Sequence, residues 1–139
     1  MKKLVMALLL VCLLPISINA GDRLKTVTLC SSEEIAASGN YTSGGLDLRD
    51  VDGYFSLQLS VTGDGTLKAE FLMSNDGTTF SEPESASDIC SGIVKTSGPG
   101  SDGELITQFT PDIGRYMKIK ITETGTSNSV TVTAVLSYK

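Results

Sequence analysis

From residue 55 onward the chain alternates apolar and polar positions with a period of two, the pattern that sends successive side chains to opposite faces of a strand. Phe55, Leu57, Leu59 and Val61 interleave with Ser56, Gln58, Ser60 and Thr62. Leu67, Ala69, Phe71 and Met73 interleave with Lys68, Glu70 and Ser74, with Leu72 the one apolar residue on the polar side. The same pattern returns at Met117, Ile119 and Ile121 against Tyr116, Lys118, Lys120 and Thr122, and at Val130, Val132, Ala134, Leu136 and Tyr138 against Thr131, Thr133, Val135, Ser137 and Lys139. Each run predicts a strand with one buried face. Gly63-Asp64-Gly65 can supply the positive φ angles of a tight turn, so the first two strands are expected to pair as an antiparallel hairpin. Gly125-Thr126-Ser127-Asn128 predicts a second turn of that type.

Weaker strand signals lie at residues 25–30, 46–48, 89–94 and 105–109. Helical periodicity is nearly absent beyond the N-terminal segment, and residues 32–37 have room for one turn at most. Seven or eight short strands, each with one wet face and bounded by Gly, Ser, Asp and Thr clusters, predict an all-β fold: an antiparallel two-sheet β-sandwich. A jelly roll is the first choice of topology and an immunoglobulin-like sandwich the alternative, which the absence of Trp weakens. Irregular stretches at residues 81–88 and 96–103 are where a sandwich of this kind is expected to carry binding residues.

The N-terminus departs from the alternating pattern. Met1-Lys2-Lys3 precedes an unbroken apolar run from Leu4 to Leu14, then Pro15 and a short segment ending in Ala20. A positive start, a short apolar core and a small residue at the exit make a secretory signal peptide at 1–20, since a spanning helix needs about 20 apolar residues. Cleavage leaves a single β-sandwich domain at 21–139, exported to the periplasm or beyond, with no stable membrane insertion. Lys2 and Lys3 leave with the leader, which takes the net charge from −5 to −7. Such a surface repels phosphate backbones, so nucleic acid is excluded as a partner. Cys12 also leaves, and the remaining Cys30 and Cys90 in an oxidising compartment are expected to form one disulfide; two separate buried thiols are the alternative.

The chain contains no His, which removes Ser-His-Asp and Cys-His nucleophilic arrangements and most zinc sites. Paired carboxylates are the one catalytic device left, but Glu33, Glu34, Glu82 and Glu84 lie in polar segments that read as solvated surface. No enzyme activity and no cofactor are expected. One acidic cluster, Asp47, Asp50 and Asp52 in Asp47-Leu48-Arg49-Asp50-Val51-Asp52-Gly53, has the close-set carboxylates that calcium prefers. Arg49 offsets part of that charge, and a solvated turn is the simpler expectation. Tyr41, Tyr54 and Tyr116 are the rings available for stacking on a sugar.

A strand followed by Ser74-Asn75-Asp76-Gly77-Thr78-Thr79-Phe80, with a later Gly114-Arg115-Tyr116 strand start, resembles discoidin-type jelly rolls. It is also similar to small β-sandwich modules of bacteriophage virion and bacterial surface proteins. The resemblance runs from about Gly53 to Leu136 and departs from discoidin domains in length and in Phe80, where they usually carry Trp. It implies a jelly roll and attachment to a glycan or other cell-surface polymer, or else a structural subunit of an extracellular layer, filament or virion of the decoration type. The partner is accordingly a glycan, a surface protein or another copy of the chain.

Overall fold

The computed structural model describes residues 23–139; the leader expected at 1–20 lies outside them. Nine strands form in chain order: β1 (Lys25–Ile35), β2 (Asn40–Thr42), β3 (Leu46–Asp47), β4 (Phe55–Gly63), β5 (Leu67–Ser74), β6 (Cys90–Ile93), β7 (Glu104–Phe109), β8 (Tyr116–Glu123) and β9 (Val130–Tyr138). Sheet A runs β1-β9-β4-β7 and sheet B runs β2-β8-β5-β6, all neighbours antiparallel, with β3 continuing the β2 edge along β8. The chain changes sheet at almost every connection, and β5–β6 is the one pair of consecutive strands that lie side by side. This is the jelly-roll order, two Greek keys closed on each other.

The core is what the alternation predicts. Leu57, Leu59 and Val61 of β4, Leu67, Ala69 and Phe71 of β5, Ile119 and Ile121 of β8, and Val130, Val132, Ala134 and Leu136 of β9 are buried between the sheets. Aromatic rings close the lower end, where Phe55 stacks on Tyr138 and meets Phe109 at a tilt, and Phe109 stacks on Phe71 across the sheets.

Sheet membership differs from expectation. β4 and β5 do not pair with each other: β4 lies between β7 and β9 in sheet A, and β5 lies between β8 and β6 in sheet B. Gly63-Asp64-Gly65 is therefore a corner between sheets, and the segment before β9 is a second one. Alternation places apolar residues toward a core, and a hairpin and a corner satisfy that equally. β1 also extends through Ser32-Glu33-Glu34-Ile35 as strand rather than helical turn, with register shifts after Thr28 and Cys30.

The expected disulfide between Cys30 and Cys90 is corrected. Both thiols are free. Cys30 pairs with Ala134 on β1, at the margin where Tyr41 of β2 donates its hydroxyl proton to the Leu29 carbonyl. Cys90 pairs with Ala69 on β6, at the other margin of the sandwich. Three strand spacings of about 4.8 Å separate such margins, well beyond the Cα separation a disulfide tolerates. Burial pushes both thiols above their ordinary pKa.

Candidate functional site

The two outer faces of the sandwich are built from different chemistry. On sheet B, β5 and β8 carry Lys68, Glu70, Lys118 and Lys120 outward, and residues 75–89 return from β5 to β6 beside them. Glu70 is 3% exposed. Its Oε1 lies 2.8 Å from Lys68 Nζ and its Oε2 3.5 Å from Lys120 Nζ, while Lys68 also reaches Asp88 at 3.6 Å. Burial raises the Glu70 carboxyl, but the Lys68 hydrogen bond and the Lys120 charge outweigh it and leave the pKa below the ordinary value. Carboxylate oxygens of Glu70, Glu82 and Asp88 come within 4.8 Å of one another. The Lys68 ammonium stands at Glu70 and Asp88, where a metal ion would have to bind, so the cluster is an ion-pair clasp between strand and loop.

Sheet A presents the opposite surface. Its cross-strand rows read Thr26–Ser137–Ser56–Gln108 and Thr28–Val135–Gln58–Ile106, hydroxyls and amides with two aliphatic residues and no charge. Among the described residues, Glu34 and Glu104 are the charged members of its strands, both towards the upper margin, and Lys139 follows β9 at the lower end. Ile106 is 67% exposed. At the lower end a cleft of about 300 Å³ opens between Leu24, Tyr54, Ser56, Gln108, Thr110 and Ser137. Tyr54 is 71% exposed, and its backbone is fixed by reciprocal hydrogen bonds with Lys139.

The upper end is organised by a residue the sequence reading passed over. Glu123 closes β8 on the inward-facing side and is 1% exposed. Its Oε1 accepts hydrogen bonds from Thr66 N (3.0 Å) and Gly125 N (2.9 Å), and its Oε2 accepts from Ser38 N (2.9 Å). Three loops thus converge on one carboxylate, and the Thr66 and Ser38 amides hold its pKa below the ordinary range. Gly65 and Gly125 leave room for it: a Cβ at Gly125 would stand 2.8 Å from Glu123 Oε1. The signal was present, since Glu123 continues the inward phase of Met117, Ile119 and Ile121.

The calcium candidates are not brought together. Asp47 is engaged by Arg49 through Nε at 2.9 Å and Nη2 at 2.8 Å, with Arg115 Nη2 at 3.9 Å, while Asp50 and Asp52 stay exposed in the loop that follows. The guanidinium supplies the counter-charge a cation would bring. Of the three candidate rings only Tyr54 is open. Tyr41 is half-buried with its hydroxyl bonded to Leu29, and Tyr116 is half-buried under the Arg115 guanidinium, 4.9 Å from the ring centre. Glu33 and Glu34 are exposed on β1, and Glu84 is exposed beside the clasp.

Residues 74–80 turn tightly after β5, with Gly77 at φ 75°. Asp76 accepts from Thr78 N and Thr79 N, each at 2.8 Å, and from Ser74 Oγ, which lowers its carboxyl to about 2. Phe80 lies half-buried with Lys118 Nζ 4.2 Å from its ring centre. Lys118 belongs to the outer face of sheet B, so this aromatic packs outside the sandwich.

No protein-family model matches the chain, and no curated protein is similar to it in sequence. Among solved structures it is similar to that of the infectious bursal disease virus VP2 subviral particle, at 14% identity and TM-score 0.46, over 84% of this chain and 32% of the other. A structure of infectious bursal disease virus strain Gx aligns at 13% identity and TM-score 0.45, over 84% of this chain and 31% of the other. The chain spans about a third of the length of these structural neighbours.

Proposed function

We propose that this protein is an exported, non-catalytic structural subunit that works by contact, packing against copies of itself through sheet A. The observation that carries the reading is the outer face of that sheet, uncharged across its middle and lower rows, on a chain whose net charge is −5. Like-charged copies repel. A flat face of hydroxyls, amides and aliphatic groups is where two such molecules meet without opposing carboxylates, and charged residues are depleted at the centres of protein interfaces. Sedimentation velocity on the leader-free protein over a hundredfold concentration range tests this: mass should grow with concentration and be insensitive to chelator.

The cleft beside Tyr54 supports a second reading, attachment to a glycan. An exposed ring next to the amide of Gln108 and the hydroxyls of Ser56 and Thr110 has the mixture of stacking platform and neutral hydrogen-bonding groups that a sugar takes. A protein that stays monomeric but binds on a glycan array, with binding lost in Tyr54→Ala, would move the assignment to that reading.

A further inference from the structure

We infer that the subunit contact is a sheet extension through the free edge of β7, which joins two copies antiparallel into one continuous eight-stranded sheet A. The inference rests on the self-association reading and places the contact along the edge of sheet A, so that the two outer faces lie side by side and not against each other.

A sheet edge displays unpaired N–H and C=O groups and recruits another strand unless something blunts it. Three of the four lateral edges here are blunted. β1 is interrupted by two register shifts and a positive φ at Ser32, and β2 and β3 are three and two residues long. β6 has four residues, a register shift against β5 and Gly92 at φ 69°. β7 carries none of these devices. It keeps unbroken register with β4 over six residues, Glu104-Leu105-Ile106-Thr107-Gln108-Phe109, without Pro, Gly, Lys or bulge, and no strand pairs with its other side among the described residues, although at its start Glu104 N donates to Asp102 Oδ1 and Gly98 packs on the Glu104 carbonyl.

The strand is also complementary to itself. Faces are preserved when Thr107 lies on the two-fold axis opposite Thr107 of the second copy. Leu105 then faces Phe109 of the second copy on the inner side, and Ile106 faces its Gln108 on the outer side. Leu105 and Phe109 are only half-buried in the single chain, and Ile106 is two-thirds exposed, so each gains cover. The two Glu104 carboxylates sit at opposite ends of the ribbon, about 20 Å apart along it at 3.4 Å per residue, against about 14 Å if Ile106 were on the axis. The partner this edge fits is therefore a second copy of the chain.

The experiment pairs a block with a trap. Ile106→Lys places a charge on the outer side of the edge and should weaken the dimer by on the order of 100-fold in sedimentation, with an unchanged circular dichroism spectrum and melting temperature showing that the monomer is intact. Thr107→Cys should cross-link to itself under mild oxidation, because residues on the axis lie within disulfide range, whereas Ile106→Cys should not. Wild type under the same oxidation controls for Cys30 and Cys90. Assembly that survives Ile106→Lys without a Thr107→Cys cross-link overturns the β7 interface and leaves self-association standing. A wild-type monomer at every concentration overturns both.

Discussion

The two sheets of this sandwich share a core and differ in how their polar residues are used. Sheet B owns the buried carboxylates: Glu70 clasps the β5–β6 connection and Glu123 draws three loops to the upper end, while the exposed Asp76 caps the turn just beyond β5. The strands of sheet A bury none, and apart from Glu34 and Glu104 at the upper margin their outward residues are neutral and at least partly open to solvent. Buried charge that is paired fixes one arrangement of the chain. Surface without charge asks for no particular partner geometry and resists none, so the difference separates a face that holds the fold from a face free to meet something else.

The sharpest break in that comparison is Glu123→Ala. It leaves the amides of Thr66, Ser38 and Gly125 without acceptors in a closed space, and the melting temperature should fall by on the order of 10 °C in calorimetry. Glu123→Gln should fall less, because the amide oxygen still accepts. Next is Glu70→Ala, which leaves Lys68 and Lys120 facing each other across β5 and β8 without a counter-ion; urea unfolding should lose about 2 kcal/mol. A change below 0.5 kcal/mol would mean that the clasp is cosmetic and that the two faces are energetically alike.

Acid should act on the same side of the molecule. Asp76, Glu70 and Glu123 all have folded pKa values below their unfolded ones, so the stability each contributes is present above the unfolded value and is lost as pH falls through the folded one. For Asp76 that window runs from 3.8 down to about 2. Asp76→Asn should lower the melting temperature at pH 7 and converge with wild type at the acid end of that window, which flattens the fall across it. An unaltered acid limb would place the proton uptake elsewhere.

How much of this was readable before the structure follows from what period two encodes. It fixes which side of a strand is buried, and so the interiors of β4, β5, β8 and β9 were legible residue by residue. It is silent on which sheet a strand joins, because Gly63-Asp64-Gly65 makes a corner with the turn chemistry of a hairpin. That silence also misplaced the cysteines, whose separation depends on β1 and β6 lying at opposite margins. Glu123 was legible by phase and Glu70 was not, since Glu70 sits on the polar side and is buried by residues distant in sequence. The neutrality of sheet A was written in Ser56, Gln58, Thr131 and Thr133, but it becomes one surface only when β4 and β9 are neighbours.

The smallest expected effect on stability is the most telling for function. Gln58 lies in the middle of sheet A, outward between Val135 and Ile106 and exposed. Gln58→Lys breaks no side-chain hydrogen bond among the described residues and keeps its stem on the sheet, so stability should stay within about 0.5 kcal/mol of wild type, as for most surface substitutions. The same change on the outer face of sheet B would join a field already carrying three lysines and alter little. On sheet A it introduces the first charge into the neutral rows, and if copies meet through that face, sedimentation should show assembly weakened while the unfolding curve stays put. Assembly unchanged by Gln58→Lys but abolished by Ile106→Lys would confine the contact to the β7 edge, and assembly indifferent to both would leave sheet A bare for some reason other than contact between copies.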